Sequence, residues 1–490
     1  MTQLNDSVAG LITRTYDGLD RLTFESTPQG SITYTYNAAG RRATMTVSGQ
    51  SSVVYSYDNA NRLLQITQGS SVVSYTYDNV GRRTSLTLLN GILAEYTYDA
   101  ASRVTSIIYK QNGITVLGDL TYEYDKAGNR TKIGGSFART GIPQAVSSTA
   151  YNAANHQTTF GDKTLTYDNN GNLLTVTGAS GTTIYTWSAR NQLTGITGPG
   201  VNATFVYDGF GRREKKTITG NLTEFLFDRG NPVQETSGST VLANLLTGLR
   251  TDEYFTRADV PSATTSHFLA DALGSTIALA DAAGTMQTEY TYEPFGRTTV
   301  TGLTSNNSSQ FTSRENDGTG LYYYRARYYD VGLDRFISED PKYSPYHSSY
   351  DPPTTYNPSV SNYMERDPNV PLFGMRGSCP SMYVDSRLLH LYAYANGNPT
   401  NLIDLEGLTA GSQSPGCDRI PETECMTGCC NEHDQCFTRA YFSFCDETTW
   451  LEQFFGSGYR TRLECQRCNR RVMKCVLCCL NPMRGRKDNC

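Results

Sequence analysis

The residues richest in chemistry lie near the C-terminal end. Cys429-Cys430-Asn431-Glu432-His433-Asp434-Gln435-Cys436 places thiols, an imidazole and carboxylates in one octet. On a helix, Cys429, His433 and Cys436 fall at i, i+4 and i+7 and share a face. Cys468 and Cys475 are also seven apart, with Asn469 directly after the first. Seven residues are two helical turns, about 10.5 Å. Two antiparallel helices can then be joined at matching heights by Cys429–Cys475 and Cys436–Cys468, with His433 between the two bonds. Other pairings among the cysteines stay open. Zinc is the competing chemistry, because Cys465-x2-Cys468 and Cys475-x2-Cys478 are knuckle-like thiolate pairs. The gap between those pairs is short for a zinc ribbon. A zinc site also leaves Cys429-Cys430 and the His-Asp pair unexplained.

The cysteine distribution shows what must position these groups. The 490 residues hold 13 cysteines, none before Cys379, and twelve lie between Cys417 and Cys490. So dense a segment reads as a disulfide scaffold that matures outside a reducing cytosol, in the periplasm or extracellular space. The rest of the chain is of another kind. Tyr (34) and Gly (44) are abundant, Trp (2) is scarce, and a Tyr-, Thr- and Gly-rich chain reads as β structure with many turns. A net charge of −5 argues against a strongly basic nucleic-acid binder. No apolar run of about 18 residues is present to span a membrane as a helix. The first ten residues lack the basic and apolar regions of a signal peptide.

A repeat organises the long part. YDGLDR starts at Tyr16, YNAAGR at Tyr36, YDNANR at Tyr57, YDNVGR at Tyr77 and YDAASR at Tyr98. YDKAGNR follows from Tyr124, YNAANH from Tyr151, YDNNGN from Tyr167, WSARNQ from Trp187 and YDGFGR from Tyr207. A period of about 20 residues signals stacked supersecondary units. In each unit a run such as SVVSYTYD alternates like a strand, an Asn- or Gly-containing piece turns, and a run such as RRTSLTLL returns. Each repeat is therefore expected to be one hairpin, and the hairpins to join edge to edge into one long sheet. Tyr should pack along it, Asp cap the turn, and Arg pair across the strands.

These strings resemble the YD-repeat, or Rhs, family. HFLADALGSTIALADAAG (His267–Gly284), YTYEPFGR (Tyr290–Arg297), QFTSRENDGTGLYYYRARYYDVGLDRFISEDP (Gln310–Pro341) and LYAYANGNPTNLIDLEGL (Leu391–Leu408) are similar to the core that closes such arrays. The resemblance implies a spiral β shell enclosing a variable C-terminal toxin, with a core that cuts its own chain at a DPxGL-type motif. It divides the chain into repeats (1–235), core (236–341), an irregular Pro-, Tyr-, Ser- and Asn-rich insertion (342–387), the end of the core (388–408) and the terminal module (409–490). The motif here is Asp404-Leu405-Glu406-Gly407-Leu408, with Leu405 where proline is usual. Cleavage after Leu408 is implied, with Asp340 and Asp404 as candidate carboxylates; a close pair sharing one proton can supply an acid and a base. A chain that begins inside a repeat also looks like the C-terminal piece of a longer one.

The octet in turn resembles secreted phospholipase A2, whose helices carry CCxxHDxC and C-D-R-x4-C. Cys468-Asn469-Arg470 with Cys475 matches the second motif, with Asn469 in the place of the usual Asp. The resemblance implies a small α-helical domain in which His433 takes a proton from water and Asn469 orients the imidazole. Asp434 would hold Ca²⁺ together with carbonyls near Gly416, Asp418 and Ile420, and the ion would polarise an ester carbonyl. An amide at Asn469 can hold the ring but adds no negative charge. Residues 455–490 carry nine basic and two acidic side chains, beside the apolar Trp450, Leu451, Phe454 and Phe455. That face suits anionic lipid. The expected function is a secreted or cell-surface toxin hydrolysing the sn-2 ester of phospholipids. Its expected partners are a phospholipid membrane, an immunity protein and secretion machinery, with no nucleic acid. The alternative is an inactive lipid- or receptor-binding module on a cell-surface repeat protein.

Overall fold

A computed structural model of the chain describes residues 2–341, 392–397, 399–400, 403–404 and 407. All belong to one compact unit. It is built almost wholly of antiparallel strands, each paired to its neighbour in sequence. Where one long sheet was expected there are two. Thirteen strands run from Gln3–Asp6 to Arg130–Gly134, and sixteen from Thr149–Tyr151 to Thr298–Gly302. The break falls at Gly135–Ser148, a stretch containing Gly135, Gly141 and Pro143 and nearly free of strand structure, which lacks the alternation that would carry a strand onward. The second sheet runs on through Asn231–Ser237 with the same neighbour-to-neighbour pairing, though that strand is buried on both faces.

The turn chemistry explains the repeat. In YDNANR, Asn61 N–H donates to Asp58 O (3.0 Å) and Asp58 N–H to Arg62 O (2.9 Å), a type I turn followed by one left-handed residue and a bulge. That residue is Asn61 at φ 67°, and its counterpart Gly81 stands at φ 87°. Only residues tolerant of positive φ fit there, which is why Gly, Asn, Asp and Ser alternate at this position. Asp78 Oδ1 accepts from the backbone of Val80 (3.1 Å) and Arg82 (2.8 Å), so the carboxylate caps the turn.

Arg14 pairs across strands with Glu25 (2.5 Å), but the arginines that close the turns pair within the turn. Arg82 Nε donates to Asp78 Oδ2 in its own turn (2.6 Å), and its guanidinium lies 4.8 Å from the centre of the Tyr98 ring in the next repeat. Tyr98 OH then donates back to Arg83 O (2.7 Å). Arg62 and Tyr77 repeat this arrangement, as do Arg103 and Tyr124. Each turn thus locks to the one after it.

The two sheets pack face to face. Ile66, Val73 and Ile92 of the first share a core with Leu246, Leu269 and Ala278 of the second. Buried and half-buried polar pairs pin the register: Arg42 Nη2 to Asp228 Oδ1 (3.0 Å), Arg83 Nη2 to Glu253 Oε1 (2.7 Å) and Tyr109 OH to Ala270 O (2.6 Å). A third sheet of four short strands, Glu315–Asn316, Leu321–Tyr324, Arg327–Asp330 and Arg335–Phe336, is buried on both faces. Tyr323 and Tyr328 pack on Leu193 and Phe205, while Tyr322, Tyr324 and Tyr329 pack on Phe311 and Tyr394. A strand wrapped on both sides needs apolar or aromatic residues in succession, and YYYRARYYD supplies them.

Candidate self-cleavage site

Arg327 opens one strand of the small sheet, directly after the hairpin whose Arg325 turns at φ 59°. Its side chain is held in place from several directions. The guanidinium stacks on Phe336, 3.7 Å from the ring centre. Nη2 lies 3.1 Å from Asp340 Oδ2 and 3.0 Å from Asp404 Oδ2. Nε donates to the carbonyl of Gly407. All three charged side chains are at most 5% exposed. Burial pulls the Arg327 guanidinium below the usual arginine range, against the opposing pull of Asp340 and Asp404.

Two stretches far apart in sequence meet here. Asp340 follows the last strand of the small sheet. Asp404 and Gly407 belong to the returning chain, which is tied to that strand by Phe336 N–H donating to Tyr392 O (2.9 Å) and by an antiparallel bridge between Arg335 and Ala393. Gly407 stands at φ 67°, and a Cβ there would come within 2.3 Å of Tyr324 O. Only glycine fits, which gives the Gly of the DxxGL string a physical reason.

The two carboxylates named from sequence, Asp340 and Asp404, therefore converge on one nitrogen. Sequence reasoning missed Arg327. The signal was available, since a guanidinium inside a tyrosine-rich string has to find carboxylates when buried. Leu408 lies outside the described residues. So do the insertion with Cys379 and the whole terminal module: Gly416, Asp418, Ile420, Cys429, His433, Asp434, Cys436, Cys468, Asn469 and Cys475. Among the described residues, no group of three or more His, Cys, Asp and Glu is placed to hold a metal, and no helix is long and apolar enough to cross a membrane.

Comparison with known proteins fixes the scaffold. The chain is 28% identical over 231 residues to the tRNA3(Ser)-specific nuclease WapA of Bacillus spizizenii, a match covering 45% of this chain. It is 30% identical over 166 residues to the tRNA(Glu)-specific nuclease WapA of Bacillus subtilis subsp. natto, covering 32% of this chain. These matches span only 10% and 7% of the relatives' own lengths. Among solved structures, the TcdB2-TccC3 complex matches with a TM-score of 0.56 at 18% identity, over 82% of this chain and 24% of that one. The Tc holotoxin pore of Photorhabdus luminescens matches with a TM-score of 0.56 at 17% identity, over 86% of this chain and 24% of that one. At such identities the structures show the fold.

The relatives overturn the expected partners, a phospholipid membrane with nucleic acid excluded, since proteins sharing this scaffold are named for acting on tRNA. The exclusion rested on the net charge of the whole chain, which the long scaffold dominates and which says little about what a short terminal segment meets. The teneurin YD-shell family matches residues 5–112 and 92–372, and the chain belongs to that family.

Proposed function

We propose that the core of this chain cuts its own backbone after Leu408 and separates residues 409–490 as a toxin. The observation that carries this reading is the convergence of Asp340 and Asp404 on Arg327, with Gly407 anchored on the same guanidinium. Amide hydrolysis needs one carboxylate to take a proton from water and a second acid to protonate the departing nitrogen. Asp340 and Asp404 fill those roles. Arg327 fixes their orientation and, by holding Gly407 O, sets the bond after Leu408 one residue beyond the anchor. The test is expression of the full chain. A fragment beginning at Thr409 is expected from the wild-type sequence, and an intact chain from Asp404→Asn.

For the separated module we propose Ca²⁺-dependent hydrolysis of the sn-2 ester of phospholipids. The support is the Cys429–Cys436 octet and its counterpart Cys468–Cys475. His433 is the base, Asn469 orients it, and Asp434 with carbonyls near Gly416, Asp418 and Ile420 would hold the ion that polarises the ester carbonyl. The oxidised module, assayed on dispersed short-chain phospholipid with Ca²⁺ and with chelator, should lose activity in the chelator and in His433→Ala. The same preparations are to be assayed on tRNA. Cleavage of tRNA without ester hydrolysis would place the module with the nucleases. No activity on either would leave an inactive disulfide module on a cell-surface repeat protein.

A further inference from the structure

One turn of the repeat departs from the rest in a way that reaches the candidate site. In YNAANH, His156 occupies the position held by Arg62, Arg82, Arg103 and Arg212 in other repeats, and Asn152 replaces their Asp. Like those arginines, His156 lies against the ring of the next repeat, stacked on Tyr167 with centroids 4.7 Å apart. With no carboxylate in its own turn, it takes one from elsewhere. His156 Nε2 is 3.5 Å from Glu339 Oε1, while Nδ1 is 3.4 Å from Asn152 Nδ2. Each of the paired side chains is only 13% exposed. Among the described residues, neither His156 Nε2 nor Glu339 Oε2 has a hydrogen-bond partner.

Glu339 directly precedes Asp340. The other wall of the His156 ring is Tyr392, edge-on at 5.7 Å, on the returning chain that leads to Asp404. Tyr392 OH donates to Gly171 O (2.6 Å), and a Cβ on Gly171 would come within 2.6 Å of both Tyr392 and Glu339. One imidazole therefore packs against the residue beside the first carboxylate and against the segment that brings in the second. A turn position that in the Arg62, Arg82 and Arg103 repeats locks to the next turn here also locks to the two chains forming the dyad.

We propose that His156, acting through Glu339 and Tyr392, is a positioning residue for self-cleavage that holds the Asp340 and Asp404 segments in register over Arg327. This rests on the self-cleavage reading. The reaction requires its groups aligned to a fraction of an ångström, and a shift of about 1 Å can cost a factor of about 100.

The test is pulse-chase synthesis of the full chain in a cell-free system, following appearance of the fragment that begins at Thr409. His156→Ala and Glu339→Gln should each slow cleavage by about tenfold or more. The double variant should be no slower than the slower single. His156→Arg should recover most of the rate, since an arginine can stack on Tyr167 and pair with Glu339 as its counterparts do in their turns. Arg82→Ala, which removes the equivalent lock far from the dyad, should leave the rate unchanged. Wild-type rates in His156→Ala, or equal slowing in Arg82→Ala, would overturn the positioning role while leaving self-cleavage standing. A wild-type chain that stays as intact as Asp340→Asn would overturn both.

Discussion

Nη2 of Arg327 lies 3.0 Å from Oδ2 of Asp404, a residue 77 positions later, and each side chain is 1% exposed. A buried guanidinium stripped of its carboxylates is costly, and so are the carboxylates stripped of it. Arg327→Ala is therefore expected to lower unfolding stability by about 3–5 kcal/mol. Arg327→Lys keeps the charge but loses the fork, because one ammonium cannot reach Asp340, Asp404 and Gly407 O together. The lysine variant should fold more stably than the alanine variant and still cleave poorly. Denaturant midpoints and fragment yield measure the two effects separately.

Gly407 and Gly81 both stand at positive φ, yet they should respond differently to substitution. At Gly407 a Cβ would meet the Tyr324 carbonyl at 2.3 Å, so Gly407→Ala should abolish cleavage while leaving the main sheets folded. At Gly81 the turn demands the left-handed conformation, and Asn61 meets that demand in the neighbouring repeat. Gly81→Asn should cost no more than about 1 kcal/mol. Circular dichroism and fragment yield together distinguish the two.

The turn locks are modest one by one. Arg82 is partly exposed, so Arg82→Ala loses a screened ion pair and a cation–π contact, about 0.5–1.5 kcal/mol in total. The loss should appear as faster amide exchange confined to the two repeats that Arg82 joins. Protection lost across the whole sheet would show instead that the repeats unfold as one unit.

His267 adds a pH dependence. Burial pushes its pKa down to about 4, with Asp281 pulling the other way. An unfolded chain holds the imidazole near about 6.5, so between those values the unfolded state binds the extra proton. This group's contribution to stability is complete above about pH 6.5 and falls as the pH drops toward 4. Glu214, raised to about 7 by burial, has the opposite sign, favouring the fold as pH falls toward its unfolded value. In His267→Gln the loss between pH 6.5 and 4 should be smaller than in wild type, read as the change in urea midpoint with pH.

Much of the scaffold was legible in the residues. Strand alternation and turn spacing around Tyr16, Tyr36 and Tyr57 give the hairpins, because both are set within a few residues. The Arg–Tyr locks were not legible, since they join one repeat to the next and depend on side-chain direction rather than spacing. The division into two sheets falls at Gly135–Ser148, a stretch without strand alternation that interrupts the spacing of the repeats. At the site, Asp340 and Asp404 could be named from their strings, but their meeting could not, because it is made by the return of the chain beside Phe336. His156 stands in the sequence where other turns carry arginine. Its role shows only when Glu339 is placed beside it.

The most direct measurement is intact-mass analysis of the full chain purified after expression, alongside Asp340→Asn and Asp404→Asn. The wild-type sample should contain a fragment beginning at Thr409 and its complement ending at Leu408, and both variants should remain uncut. A wild-type chain that stays whole, or variants cut at Leu408 as completely as wild type, would contradict self-cleavage by the two aspartates on Arg327.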